Sequence, residues 1–573
     1  MKETKTVFLI RKYRSVLKSA IFVESAFYLV SLIDTLVAGS LIDNNALTAV
    51  GLVAPVIGFC SFLTSCINSG TCRDYIYYIG KFEKQRANEI FSQGLLLSLV
   101  TGFAYGVLCF FAEDLFIGDL SAFPGIERFV RDYYRIILFF CMLDPVSTLL
   151  DNLLVTCGGE RITLFTNVGR AIGNLLLSIL FALRWGVRGI AAASLTSEVL
   201  YLLATVIGLL YKKTSLRFTF CFRLRDVLQI VYAGSLRAST YALTALMTLL
   251  LNAFAVSRFD ESTLLILVIV EKAVSFSTVF LGMTCAIRPV IGMLRGEGNT
   301  KASRHLMRAA VYDMLLSGII ASALWAVFAP YLVVVFGVRD AALLHEAVCA
   351  VRITSTTLFL YALLTLFFNY YSFVGKNFPA LLLSVLKDFL CPMFCVLSAV
   401  ILSGRSSGLW YGFAAAPLLS VFLSCLFILA VYGRNPFPYL LPSDRDKDIF
   451  IFDFELDPSN AAAMADEADR ILSLRDFPLK TRRIVRLYLE DALMLIEEKN
   501  AGSRISAECT LLCEDSGVRV VLRDSGVLFD LTDTEAGISS LRQFVLSNMM
   551  ANKDERDYLI TTGYNRSELF FKL

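Results

Sequence analysis

Up to Arg434 the chain runs as long apolar blocks broken by short polar connections. A membrane-crossing helix needs about 20 apolar residues. Runs of that length fall near 16–39, 47–72, 88–112, 129–154, 162–183, 189–211, 226–256, 262–287, 303–334, 345–374, 379–403 and 409–432. The pattern predicts a polytopic α-helical membrane protein with twelve spans. After Arg434 the character changes. The stretch NPFPYLLPSDRDKD is rich in proline and charge, and reads as a linker over 435–447. From 448 onward, segments of soluble composition alternate between strand and helix patterns. Strands are expected at 448–456, 504–512 and 517–523, with two more inside 557–572, and helices at 458–473, 477–499 and 537–549. This part reads as a cytosolic α/β sandwich.

Composition agrees with the pattern. Of 573 residues, 56% are hydrophobic and 18% charged, against about 25% charged in soluble domains. Mean hydropathy is +0.65. The net charge of +3 gives no bulk basic surface for nucleic acid. The 14 cysteines are scattered through apolar stretches with no Cys-x-x-Cys pair, and read as small buried hydrophobes. His305 and His345 stand in no metal-ligand spacing, so no metal site is expected. Six basic residues, Lys2 to Lys18, lie before or at the start of the first long apolar run, with no small-residue cleavage site after a short core. This is the pattern of an uncleaved first membrane helix.

Lysine and arginine set the orientation. With the N-terminus inside, the inner connections carry Arg73, Lys81, Lys84, Arg86, Arg161, Lys212, Lys213, Arg217, Arg223, Arg225, Arg288, Arg295, Lys301, Arg304 and Lys376. The outer ones carry Arg184, Arg188, Arg258, Arg339 and Arg405. An even number of spans then puts both termini in the cytoplasm, at the inner or plasma membrane. The halves also repeat. Gly189-Ile190-Ala191-Ala192-Ala193 opens the sixth span and Gly412-Phe413-Ala414-Ala415-Ala416 the twelfth. Gly80 and Arg86-Ala87 between spans 2 and 3 are echoed by Gly296 and Lys301-Ala302 between spans 8 and 9. The expected domains are two six-helix lobes, 1–215 and 216–434, the linker, and the cytosolic domain 448–573. Such repeats place a substrate path between the halves.

Ionisable groups at membrane depth are costly and mark function by default. Glu24, Tyr28, Ser31 and Thr35 share one face of the first span, and Asp34 borders it. Asn167, Arg170, Asn174 and Ser178 form a stripe on the fifth. Two stripes in one lobe are suited to line a shared cavity, where a carboxylate binds a proton or Na⁺ in alternation. The alternative is an Asp34–Arg170 pair that only holds the lobe together. In the second half Asn252 replaces the acid, while Glu271, Lys272, Lys387 and Asp388 lie within spans 8 and 11. Sequence neighbours point apart on a helix, so these four are expected to pair between helices as a structural cluster. Glu198 and Asp144-Pro145 are weaker candidates.

These landmarks carry a resemblance. IDTLVAGSLIDNNALTAVGLVAP (33–55), the glycine-led connection to Ala87-Asn88-Glu89-Ile90-Phe91, and NLLLSILFALRWGVRGIAAAS (174–194) resemble multidrug and toxic compound extrusion (MATE) transporters. The resemblance covers roughly residues 10–435. It implies cation-coupled antiport, with Asp34 as the first-helix acid and Asn174 as the helix 5 asparagine of one H⁺ or Na⁺ site. Where the family often carries an acid four residues later, this chain has Ser178, and Arg170 is a further departure. Lipid-linked oligosaccharide flippases share the wider fold.

In the C-terminal part, Leu522-Arg523-Asp524-Ser525-Gly526-Val527-Leu528-Phe529-Asp530 resembles the adenine-binding box of GHKL-type ATPases, which include anti-sigma-factor kinases. The resemblance implies that Asp524 accepts from the adenine amino group and that Gly526 lets the base approach. Tyr564-Asn565-Arg566 fits the anti-sigma type. The helix with Glu490 and Asp491 would carry the Mg²⁺ asparagine, but Met494 or Leu495 stands there, and the phosphate loop has Gly537 alone. A degenerate nucleotide-binding or interaction module is expected, with ATP as its potential ligand and no kinase or ATPase activity. The expected whole is a transporter rather than an enzyme. It exports small organic, chiefly cationic, compounds on an H⁺ or Na⁺ gradient, under a cytosolic domain that contacts a regulatory protein. The rival class is a membrane sensor with a transporter-like body.

Overall fold

The computed structural model describes residues 7–80, 83–117, 123–157, 159–212, 216–219, 223–434, 437–441, 448–500, 503–527, 557–559 and 564–572. The chain begins with the long helix α1 (Val7–Val37), continued by a π-helical turn at Ala38–Ile42. There follow α2 (Asn44–Leu52), α3 (Ala54–Gly80), α4 (Lys84–Phe111), α5 (Glu113–Ile117), α6 (Pro124–Thr156), α7 (Glu160–Trp185), α8 (Val187–Tyr211) and α9 (Leu224–Arg258). Next come α10 (Glu261–Val274), α11 (Ser277–Cys285), α12 (Arg288–Gly296), α13 (Thr300–Val335), α14 (Ala341–Ser355) and α15 (Leu358–Phe373). The helical part closes with α16 (Asn377–Val385), a second π-helical turn at Leu386–Leu390, α17 (Cys391–Ser403) and α18 (Ser407–Tyr432).

Among the described residues, ten helices are long and apolar enough to cross a membrane, and α14 with α15, bent by 41°, makes an eleventh. This is a multi-pass helical membrane fold. These spans fall on the apolar runs predicted from 47 onward. The run at 16–39 lies on α1, where several side chains fall outside the described residues. Aspartates start several helices, because their carboxylates accept the first free backbone N–H groups. Asp43 caps α2 through Ala46 N at 2.7 Å, and Asp340 caps α14 through Leu343 N at 2.9 Å. The two repeat glycines earn their places by close approach. A Cβ at Gly189 would lie 2.1 Å from Phe181 O, and one at Gly412 would lie 2.4 Å from Val396 Cα.

Beyond the helices, β1 (Ile449–Glu455), α19 (Pro458–Leu474), α20 (Leu479–Lys499), β2 (Ser506–Glu514), β3 (Gly517–Asp524), β4 (Asp557–Leu559) and β5 (Tyr564–Lys572) follow in order. The strands form one sheet in the order β1-β2-β3-β5-β4, with every neighbouring pair antiparallel. Register pairs Phe452 with Cys509, Leu522 with Cys509, and Val520 with Leu569. The sheet and both helices share a core of Phe452, Met464, Leu489, Leu493, Leu511 and Val520. The helix expected at 537–549 lies outside the described residues, as does most of the linker.

The contacts divide the chain into two compact units. One comprises Met1–Phe22, Gly282–Asp313 and Leu426–Leu573, and the other Val23–Leu281 and Met314–Cys425.

Candidate functional site

Within the unit built on Val23–Leu281 and Met314–Cys425, Asp34 lies near the end of α1 among three other helices. Tyr133 Oη of α6 and Ser194 Oγ of α8 each donate to Asp34 Oδ2 at 2.8 Å. Ser194 Oγ and Ser178 Oγ both lie 3.3 Å from Asn174 Oδ1 of α7. Asp34 Oδ1 is buried and makes no hydrogen bond among the described residues. The Lys272 ammonium of α10 lies within electrostatic reach of Asp34. Tyr28 Oη donates to the Lys272 carbonyl at 2.7 Å, which fixes α1 against α10. The site is one acid with two hydroxyl donors on one oxygen, a free second oxygen, and a cation nearby. That set can hold a proton and release it without rebuilding its surroundings.

The structure brings Asp34, Asn174 and Ser178 together and sets the other candidates apart. Arg170 pairs with Glu198 of α8 at 2.5 Å, not with Asp34, so the expected Asp34–Arg170 alternative does not form. Asn167 bonds Thr163 O at 2.9 Å and Asp151 at 3.4 Å. Glu24 is half-buried within reach of Arg237 of α9. The Ser31 side chain lies outside the described residues. Asn252 is buried, and neither atom of its amide finds a partner among them. Glu271 Oε1 is likewise unmet. Lys387 and Asp388 correct the expectation of pairing between helices, because they pair with each other. They sit in the π-helical turn, whose wider winding brings neighbouring side chains closer in angle. Ser384 Oγ donates to Asp388 at 2.9 Å, and Lys387 lies over the Phe368 ring at 5.5 Å.

Sequence reading missed Tyr133 and Ser194. Tyr133 stands among Arg131, Asp132 and Arg135, and Ser194 among Thr196, Ser197 and Glu198, so nothing local singles either out, and only the tertiary fold brings them to Asp34.

The other unit holds a buried charge cluster. Arg523 of β3 is fully buried and donates to Glu508 of β2 and to Glu297, between α12 and α13. Arg566 of β5 donates from Nε to Glu297 at 2.7 Å. Around it, Lys301 Nζ bonds Ile449 O at 2.9 Å, and Tyr564 Oη lies 3.1 Å from Met293 Sδ. The start of α1 joins the same sheet. Asp453 of β1 caps it, accepting from Val7 N at 2.7 Å and Phe8 N at 2.9 Å, and Phe8 meets Tyr564 edge-on at 5.4 Å.

Burial pushes the Glu508 carboxyl up to about 8, with the nearby Asp453 and Glu297 charges adding to it against Arg523. A carboxyl whose folded value lies above its ordinary one stabilises the fold fully at acid pH and loses that contribution as pH rises through the folded value. Thermal stability of this unit should therefore fall as pH climbs towards 8. Glu508→Gln should flatten that slope, read as Tm against pH.

The residues named for nucleotide are arranged internally. Asn565 Nδ2 donates to Asp524 Oδ1 at 2.7 Å and to Gly526 O at 3.0 Å, and Gly526 N donates to Asp524 at 3.0 Å. A Cβ at Gly526 would lie 2.7 Å from Asn500 Nδ2, so the Asn500 side chain packs directly against Gly526. Glu490 is exposed and Asp491 half-buried on α20. Gly537 lies outside the described residues.

Ten or eleven apolar helices with a polar cluster at Asp34 define a multi-pass membrane protein among the described residues. Comparison with known families agrees: the MatE family matches at residues 20–180 and again at 237–397, together more than half the chain. The chain belongs to the MatE family. The second match begins within α9, as the internal repeat requires. A search of curated proteins finds no match. Among solved structures, the chain is similar to an inward-facing multidrug resistance MATE family transporter of the MOP superfamily, at TM-score 0.63 and 21% identity over 70% of this chain and 94% of that one. It is also similar to an outward-facing conformation of such a transporter, at TM-score 0.59 and 20% identity over 75% and 99%. A MATE structure in the straight conformation aligns at TM-score 0.60 and 20% identity over 74% and 98%.

Proposed function

We propose that the chain is a MATE-type secondary antiporter that exports small organic, chiefly cationic, compounds on a proton gradient. In this reading twelve spans form two lobes, 1–215 and 216–434. Both termini face the cytoplasm, and the domain at 448–573 regulates transport. The observation that carries it is the Asp34 carboxylate, with one oxygen held by Tyr133 and Ser194 and the other unmet. Protonated, Asp34 can donate from its free oxygen. Ionised, it keeps two hydroxyl donors and gains from Lys272. The positive charge of Lys272 stabilises ionised Asp34 and so eases release of whichever cation it binds. The proton, which needs only the one unmet oxygen, is taken as the coupling ion. Alternating access then follows from protonation of Asp34 in one state and release in the other. The test is proton-driven export of a cationic dye by the purified protein in vesicles.

The C-terminal domain fits a GHKL-like module that has given up nucleotide chemistry. Asn565 on Asp524 and Asn500 against Gly526 support that reading. The full chain should show no Mg²⁺-dependent ATP turnover in a coupled phosphate-release assay. Turnover that Asp524→Asn abolishes would count against it. The sensor reading gains from one feature, the buried Glu297–Arg523 link between a helix connection and the sheet. It predicts a compound that alters hydrogen exchange in the sheet although no gradient drives its export.

A further inference from the structure

Beside the Asp34 site, α6, α7 and α8 carry a second polar cluster that the coupling reading leaves unused. Arg170 of α7 binds Glu198 of α8 at 2.5 Å, and its guanidinium lies over the Tyr201 ring at 4.6 Å and the Phe140 ring at 5.9 Å. Ser147 of α6 donates to Glu198, which is fully buried. Asp144 of α6 accepts from Thr64 of α3 at 2.9 Å and from Thr148 at 3.3 Å, and is within electrostatic reach of both Arg170 and Glu198. Asp151, two turns further along α6, accepts from Asn167 at 3.4 Å and faces Tyr201 and Arg170. Three carboxylates thus surround one guanidinium. With all three ionised, the cluster would hold two uncompensated negative charges inside the membrane fold, which is costly. Protons on the cluster remove that cost.

Two features tie the cluster to a path. First, Glu198 stands four residues after Ser194 on α8, and Arg170 four before Asn174 on α7. One helical turn, about 5.4 Å of rise, therefore separates each from a residue of the Asp34 site. Second, a mainly apolar cavity of about 400 Å³ lies against Arg170, lined by Thr166, Ser197 and Tyr201 together with Ile162, Phe165 and Leu200. Ser197 is 4% exposed and its hydroxyl finds no partner among the described residues, nor does Asp151 Oδ1. The unmet Ser197 hydroxyl lies on the wall of that cavity and offers a site for water.

We propose that Glu198, held by Arg170, is a second proton-binding site that relays protons between Asp34 and water in the cavity beside Arg170. A proton leaves the Asp34 carboxyl, is taken up by the Glu198 carboxylate, and passes to a cavity water. One O–H bond breaks as another forms, with no change of oxidation state. Arg170 is a positioning residue, which keeps Glu198 in place whether charged or neutral. The relay rests on the proton-coupled reading of Asp34, but protonation of Glu198 itself does not.

A hydrophobic carbodiimide attacks protonated carboxyls in apolar sites. The full chain in lipid vesicles, treated across a pH series and read by peptide mass spectrometry, should be labelled at Glu198 in acid, with labelling lost in alkali. The same labelling should persist in Asp34→Asn. In proton-driven efflux, Glu198→Gln should slow transport by at least about tenfold. Substrate exchange across the same vesicles, which moves no net proton, should stay near wild type. Absence of labelling at Glu198 throughout the pH series would overturn the site even if Asp34 proved essential. Equal loss of efflux and exchange in both Glu198→Gln and Glu198→Asp would overturn the relay. If Asp34→Asn left coupled efflux intact while Glu198 was labelled, the reading of Asp34 would fail and the second site would stand.

Discussion

Asp34→Asn should lower gradient-driven efflux by at least about a hundredfold while leaving the protein folded. Asparagine keeps the shape and one acceptor oxygen, so Tyr133 and Ser194 retain their hydrogen bonds. What it loses is the ability to take up and release a proton. Reconstituted vesicles read the effect on transport, and thermal unfolding in detergent reads the fold. Coupled efflux that survives the substitution would remove Asp34 from the mechanism. A fall in transport together with collapse of Tm would instead assign Asp34 a structural role.

The second large effect lies in the buried ion cluster. Arg523→Ala should destabilise the unit of Gly282–Asp313 and the C-terminal sheet by about 3–5 kcal/mol. The reason is the charge left behind. Glu297 and Glu508 are both fully buried and share that guanidinium. Removing the arginine leaves Glu297 with Arg566 at 2.7 Å and takes from Glu508, whose carboxyl is pushed up to about 8, the one cation that draws it towards ionisation, so charge must be buried unpaired or taken up as a proton. Replacing Arg523, Glu297 and Glu508 together by apolar residues of similar volume should cost far less, because nothing charged stays unpaired. Hydrogen exchange of β2 and β3 and denaturant unfolding give both numbers. Equal costs for the single and triple variants would show that packing, not charge, holds this cluster.

How much of this was legible follows from what each feature depends on. Span positions depend on run length alone, so apolar blocks placed them closely, down to α16 through α17 at the predicted 379–403. The sheet strands were legible because alternation is local. Register was not, since only pairing across the sheet sets Val521 against Glu568. The duplication was legible in the Gly-x-Ala-Ala-Ala openings, because close helix approach demands small residues wherever it recurs. The site was legible only in part. Asp34 and Asn174 stand out as polar residues in apolar helices. Their partners Tyr133 and Ser194 lie 99 and 160 residues from Asp34 and carry no local signature. Arg170 drew attention in the helix 5 stripe and was weighed only against Asp34, because its pairing with Glu198 depends on the packing of α7 on α8. Glu297 lies in a short connection and drew no reading from the sequence. Nothing near it announces a partner 226 residues away. The Lys387–Asp388 pair was misread because a regular helix was assumed where the backbone makes a π-helical turn.

The central claim is that a proton gradient drives this MatE-family chain to export organic compounds. Its most direct test is transport of a panel of cationic dyes by the purified protein in vesicles carrying an imposed pH gradient. At least one dye should move against its own concentration gradient while the pH gradient lasts, stop when a protonophore dissipates it, and not respond to a Na⁺ gradient. Folded protein that moves no dye under any gradient, or that moves dye equally after the proton gradient is collapsed, would contradict the account.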